Sequence, residues 1–126
     1  MAECCCGNNK PTRLLYACSG VANTGFLADR TARKLMQEGT GKMTCLAAMG
    51  AEHTGFVESA KAADCNIVID GCPISCGKQI FERLGLPFDH YKTTDYGIEK
   101  GKTEITEKII GEVTEKMKGA ITDGGC

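Results

Sequence analysis

The side chains best suited to chemistry in this chain are thiols. Nine cysteines stand among 126 residues: Cys4, Cys5, Cys6, Cys18, Cys45, Cys65, Cys72, Cys76 and Cys126. Cys72 and Cys76 lie in VIDGCPISCGK (68–78), where an apolar run breaks at Asp70-Gly71 and Pro73 marks an irregular loop. A thiolate is both a nucleophile and a soft metal ligand, so such a set points to metal binding or thiol chemistry. The C-x3-C spacing falls within the separation usual for paired zinc ligands. It is one residue longer than the C-x-x-C of thioredoxin-like redox motifs. One such pair is far less specific than two.

Short apolar runs and amphipathic segments alternate along the chain, and these elements must position the thiols. Leu14–Ala17 is a strand-like run that stops at Cys18-Ser19-Gly20. A helix follows, with Thr24 as its N-cap, Leu27, Ala28, Ala32, Leu35 and Met36 on one face, and Gly39 as its stop. Met43–Met49 reads as a second strand carrying Cys45, and Thr54–Ala63 as a shorter helix. NIVID (66–70) is a third strand, rich in β-branched residues. A helix over Ser75–Leu84 ends at Gly85, and Phe88–Thr94 is a more polar strand for a sheet edge. The last helix, Thr103–Lys118, places Glu104 and Glu107 in its first turn and Lys116 and Lys118 in its last, before Gly119.

The β-α-β-α-β-α-β-α order predicts an α/β domain. It is a small doubly wound three-layer sandwich of about four mainly parallel strands with helices on both faces, Rossmann/flavodoxin-like. Residues 13–120 form that single domain. Residues 1–12 read as a flexible cysteine-containing tail, and 121–126 as a C-terminal tail.

In such a sheet every strand ends on one edge, where sites collect. Cys18 ends the first strand, Cys72 the third, and Cys76 opens the next helix, so topology alone brings these three together. Cys45 lies on the second strand, a residue or two below that edge. Cys65 precedes the third strand. At about 3.3 Å per residue the seven residues between it and Cys72 place it at the opposite pole. The tail cysteines Cys4, Cys5, Cys6 and Cys126 have no fixed place.

Four thiols suit Zn2+ in a closed tetrahedral shell, a structural, sensor or carrier site rather than a catalytic one with a water position. His53, in a loop at the same edge, is an alternative fourth ligand, although a lone loop histidine is more often solvated. Asp70 is placed behind the ligands, to orient one of them or to accept from a loop N–H. Asp95 reads as the start of an Asx turn before Gly97. The rival class is thiol redox or sulfur transfer through Cys72 and Cys76. An Fe–S cluster is a further alternative for four cysteines.

Other chemistries are less well served. CSGVANTG (18–25) lies where a cysteine phosphatase loop would, but Thr24 stands where the phosphate-clamping arginine belongs. G-x-G-x-x-G is absent. A formal net charge of −1 with scattered basic residues gives no nucleic-acid face. No apolar run is long enough to span a bilayer, and the N-terminus lacks the apolar core of a secretory signal. The expectation is a cytoplasmic protein whose partner is a metal ion, with no nucleic acid and no membrane.

CSGVANTGFLADRTARKL (18–35), KMTCLAAMG (42–50), VIDGCPISCGKQIFE (68–82) and TTDYGIEK (93–100) together resemble the DGC-domain family, named for its Asp-Gly-Cys. The resemblance covers roughly residues 13–118. It implies zinc binding, one ion per chain, with Cys18, Cys45, Cys72 and Cys76 at the family's cysteine positions and Asp70-Gly71 as its Asp-Gly. It implies no substrate and no activity.

Overall fold

The apolar residues of the chain divide between the two faces of one sheet. A computed structural model describes residues 10–124 and 126. The strands are β1 (Arg13–Ala17), β2 (Lys42–Met43), β3 (Cys65–Asp70) and β4 (Asp89–Lys92). The α-helices are α1 (Asn23–Gln37), α2 (Leu46–Gly50), α3 (Thr54–Ala62), α4 (Cys76–Leu84) and α5 (Glu107–Asp123), with a 3-10 turn at Thr93–Tyr96. All strands pair in parallel in the order β2-β1-β3-β4. This is the three-layer α/β architecture that the alternating pattern predicts. The order runs outward from β1 in both directions, so the chain reverses between β1 and β3.

Strand alternation sorts the core. Leu15, Ala17, Ile67 and Ile69 point to one face and pack with Leu27, Ala28, Ala32 and Leu35 of α1 and Ile110, Val113, Met117 and Ile121 of α5. Tyr16 and Val68 point to the other face, against Leu46 and Met49 of α2, Ala60 of α3 and Phe81 of α4. The buried polar groups on this side are partnered. The Tyr16 hydroxyl donates to Asn66 Oδ1 at 2.9 Å, and Asn66 Nδ2 donates to the Ala60 carbonyl at 3.0 Å. Burial pushes the Tyr16 hydroxyl up to about 12.

Several element boundaries differ from the sequence reading. The second strand is only Lys42–Met43, extended by Thr44 N–H donating to the Leu15 carbonyl at 2.8 Å. Leu46–Gly50 is a helical turn that buries Leu46 and Met49, three residues apart, on one side. A short apolar run fits a strand or a buried helix equally by pattern, and here tertiary packing selects the helix. Thr24 is not the cap of α1. Ala22 is, with no side-chain capping bond, and Thr24 lies buried inside the first turn.

The last helix starts and ends later than its glycine suggests. Residues 99–103 are taken up by a tight turn, and Thr106 caps α5 by accepting from Ile109 N–H at 3.2 Å. Glu104 therefore precedes the helix. Gly119 does not stop it, because Ile121 is fully buried one turn further on. A helical glycine costs only about 1 kcal/mol, less than burying an isoleucine returns.

At the amino end of the sheet, Cys65 opens β3 and is joined in a disulfide with Cys126, their Cα atoms 6.1 Å apart. The Arg13 guanidinium donates to the Cys126 carbonyl and, at 3.2 Å, to that of Thr40. Cys4, Cys5 and Cys6 lie outside the described residues. Among the described residues no helix is long and apolar enough to cross a membrane.

Because α5 runs through Ile121, Ile121→Ala should lower unfolding free energy by about 2–5 kcal/mol, whereas exposed Thr122→Ala should stay within about 0.5 kcal/mol. Urea denaturation followed by circular dichroism measures both.

Candidate functional site: a thiol-lined cleft at the sheet's switch point

The turn after β3 is built around one buried carboxylate. Asp70, the last residue of β3, is 1 % exposed on the face that α4 covers. Its Oδ1 accepts from Gly77 N–H at 2.8 Å and its Oδ2 from Lys78 N–H at 3.0 Å. These are two of the first-turn donors that a helix cannot satisfy internally. The carboxylate therefore caps α4 from seven residues away and sits at the positive end of its dipole. His90 Nε2 of β4 lies 2.7 Å from the same Oδ2. Asp70 is thus a fixed post that sets the start of α4, where Cys76 is the first residue.

Gly71 is fixed by approach. A Cβ there would stand 2.6 Å from the Thr24 carbonyl carbon and 2.8 Å from Gly25 N, so the turn touches the backbone of α1. Its carbonyl accepts from the buried Thr93 hydroxyl at 2.7 Å. Gly77 is confined in the same way, its absent Cβ 2.6 Å from Val68 Cγ1 and 3.0 Å from Asp70 Oδ1. Asp-Gly-Cys then reads as cap, close approach and thiol in succession.

Four cysteines of the described residues are free, Cys18, Cys45, Cys72 and Cys76, and all four line one open cleft of about 830 Å3. The cleft lies beyond the carboxyl ends of β1, β2 and β3. Cys18 follows β1 and is half-buried, with Gly71 N–H donating to its Sγ at 3.3 Å. Burial pushes its thiol above the ordinary range and the charges of Asp70 and Cys76 add to that, while the N–H groups of Gly20 and Gly71 oppose it. Cys45 is exposed and caps α2, past the end of β2 rather than inside a strand. That places it on the same edge as the others. Cys72 is half-buried, and Lys100 Nζ donates to its Sγ at 3.5 Å.

Non-glycine left-handed backbone accompanies two of the thiols, at Ser19 (φ 53°) and Ser75 (φ 57°). Ser19 is held by its hydroxyl donating to Asp29 Oδ1 at 2.8 Å. Such conformations persist where the surroundings impose them, here on both sides of the cleft.

Among the described residues, no group of three or more His, Cys, Asp or Glu side chains is gathered closely enough to hold a metal ion. The four thiols share the cleft without closing on one point. His53 does not line it. It caps α3 and packs edge-on to Phe56 with ring centroids 5.2 Å apart. Asp95 lies in the 3-10 turn, 3.9 Å from Lys92 Nζ, and is also outside the lining.

Two residues that position the site went unread in the sequence. His90 is a lone histidine on a polar strand, and only the β3–β4 register brings it to Asp70. Asn23 clamps the 99–103 turn: its Nδ2 donates to the carbonyls of Glu99 (3.1 Å) and Thr103 (2.8 Å), and its Oδ1 accepts from Gly101 N–H (2.7 Å). That turn carries Lys100 to the cleft. The one available signal was an asparagine at a helix start beside an unassigned polar loop.

A doubly wound domain with free cysteines on three of its carboxyl-edge segments is the class these features define. The family model described as DGC domain matches residues 14–117, and the chain belongs to that family. It is 32 % identical over 98 residues to the anaerobic and virulence modulator AnvM of Pseudomonas aeruginosa, covering 77 % of this chain and 75 % of that protein. No solved structure matches the chain.

Asp70→Ala should cost about 3–5 kcal/mol, because it leaves the buried Gly77 N–H, the part-buried Lys78 N–H and the His90 ring without their acceptor. Gly71→Ala should cost about 1–3 kcal/mol through overpacking against α1. Equilibrium denaturation measures both. Alkylation of the native chain by iodoacetamide, followed by peptide mass mapping, should label exposed Cys45 and Cys76 first and Cys18 last.

Proposed function

We propose that this chain binds one zinc ion through Cys18, Cys45, Cys72 and Cys76, in a sensor or carrier role rather than a catalytic one. The observation that carries it is that the four free thiols of the described residues all face a single cleft. The donor set suits zinc: four soft, thiolate-forming ligands, with Asp70 fixing the turn and helix that present Cys72 and Cys76. Bound zinc supplies a closed, redox-inert centre that ties together three segments of the sheet edge. The name of AnvM, a modulator, is in keeping with a regulatory role.

Protein purified without a metal-chelating tag should carry about one zinc per chain, read by elemental analysis. Cys72→Ser should lower that content and Cys65→Ser should not. A chain that is metal-free and takes up no zinc near neutral pH overturns the reading. Loading must displace the Cys18 proton, which burial holds on above the ordinary thiol range. Zinc affinity should therefore rise with pH by about tenfold per unit for each thiol proton released. Competition with a chromophoric chelator across the neutral range measures the slope.

A second reading, reversible pairing of Cys72 and Cys76, is favoured by the Lys100 ammonium standing against the Cys72 sulfur. A Cys72–Cys76 disulfide that cycles with a small thiol reductant, in protein that holds no zinc, would establish it instead. Visible absorbance of the purified protein would point to an Fe–S cluster.

A further inference from the structure

The cleft is larger and more apolar than a metal ion requires. At about 830 Å3 it falls within the range of small-molecule sites. A zinc ion among four thiolates would occupy a small part of it. Four large apolar side chains are exposed among the described residues: Val21, Phe26, Met36 and Ile74. Three of them, Val21, Met36 and Ile74, line this cleft. Val21 is fully exposed on the loop after β1, and Ile74 is 58 % exposed on the loop after β3. They belong to the two loops that flank the switch point. Scattered exposed apolar residues are ordinary, but their concentration around one concavity marks a binding surface. The fourth, Phe26, lies outside the lining and has the Arg30 guanidinium 5.7 Å from its ring centre.

The cleft also has a sign. Two cations line it, Arg33 and Lys100. Arg33 is neutralised by Asp29, Nε to Oδ2 at 2.7 Å. Lys100 has no carboxylate partner among the described residues, and its Nζ is held over the cleft at Cys72 by the turn that Asn23 clamps.

We propose that the cleft binds a small amphipathic anion, its apolar body against Val21, Met36 and Ile74 and its acid group on Lys100. None of these four residues is a proposed metal ligand, although Lys100 touches the sulfur of one, Cys72.

The test uses two fluorescent probes of similar body, anionic 1-anilinonaphthalene-8-sulfonate and neutral N-phenyl-1-naphthylamine, titrated into the full chain. Both should bind saturably, one per chain. Ile74→Asp and, on the facing loop, Val21→Asp should each weaken both probes about tenfold or more. Both side chains are exposed, and unchanged thermal melts confirm that the fold survives. Lys100→Gln should weaken the anionic probe about fivefold and leave the neutral one within about twofold. Binding that does not saturate, that ignores both aspartate substitutions, or that loses the two probes equally in Lys100→Gln overturns the proposal. So does a wild-type dimer that Ile74→Asp converts to monomer, since the apolar rim would then be an interface between copies. Zinc content is read on the same samples, so failure of the metal reading and failure of this one are separate results.

Discussion

The Asp70 carboxylate is the constraint on which the site depends. A carboxylate buried at the end of a central strand is costly unless every lone pair it turns inward finds a donor. Here the donors are the Gly77 and Lys78 N–H groups and the His90 ring. Satisfying the charge therefore requires α4 to begin at one height and one angle over β3, and β4 to lie in one register beside it. Gly77 must come close, which excludes a Cβ, and the intervening turn must pass against α1, which excludes one at Gly71. The glycines are consequences of the aspartate's burial. Cys72 and Cys76 are carried by a loop whose two ends are fixed by the same carboxylate.

A second constraint acts from the other side of the switch point. Cys18 follows β1, between the two cores, and its sulfur accepts from the Gly71 N–H. The first and third loops are thus joined through a backbone-to-sulfur contact at the base of the cleft. Burial keeps that thiol protonated, while Cys45 and Cys76 stand in solvent at the rim. The four sulfurs stand in unequal surroundings: one is half-buried against the Gly71 N–H, one lies beside an ammonium, and two are open. That inequality suits a site whose occupancy responds to conditions.

Much of this was legible because the topology is strongly encoded. The short apolar runs at Leu14–Ala17 and, rich in β-branched residues, Asn66–Asp70 alternate with amphipathic helical segments, which favours buried parallel strands and carries Cys18 and Cys72 to one edge and Cys65 to the other pole. The errors fall where pattern is degenerate. The continuous apolar run Leu46–Met49 fits a buried strand or a helical turn over so short a stretch, and the strand reading sets Cys45 too low. Thr24 has the chemistry of a cap, but its burial under Gly71 is a tertiary fact. His90 and Asn23 act across 20 and more than 70 residues of sequence, and neither their type nor their spacing announces a partner at that range.

Asn23 shows why the cleft is open while its frame is rigid. It stands at the first turn of α1, where backbone N–H groups need acceptors, yet its amide is spent on the 99–103 turn instead. Thr103 closes that turn on itself by accepting from Glu99 N–H at 2.8 Å. Lys100 is therefore delivered by a preformed loop rather than by a flexible arm. At the loop tips stand Val21 and Ile74, whose side chains face water. Rigid anchors behind and uncommitted apolar tips in front are what a cleft needs to close over a ligand without disturbing the sheet, since the ordering cost then falls on a few side chains rather than on the fold.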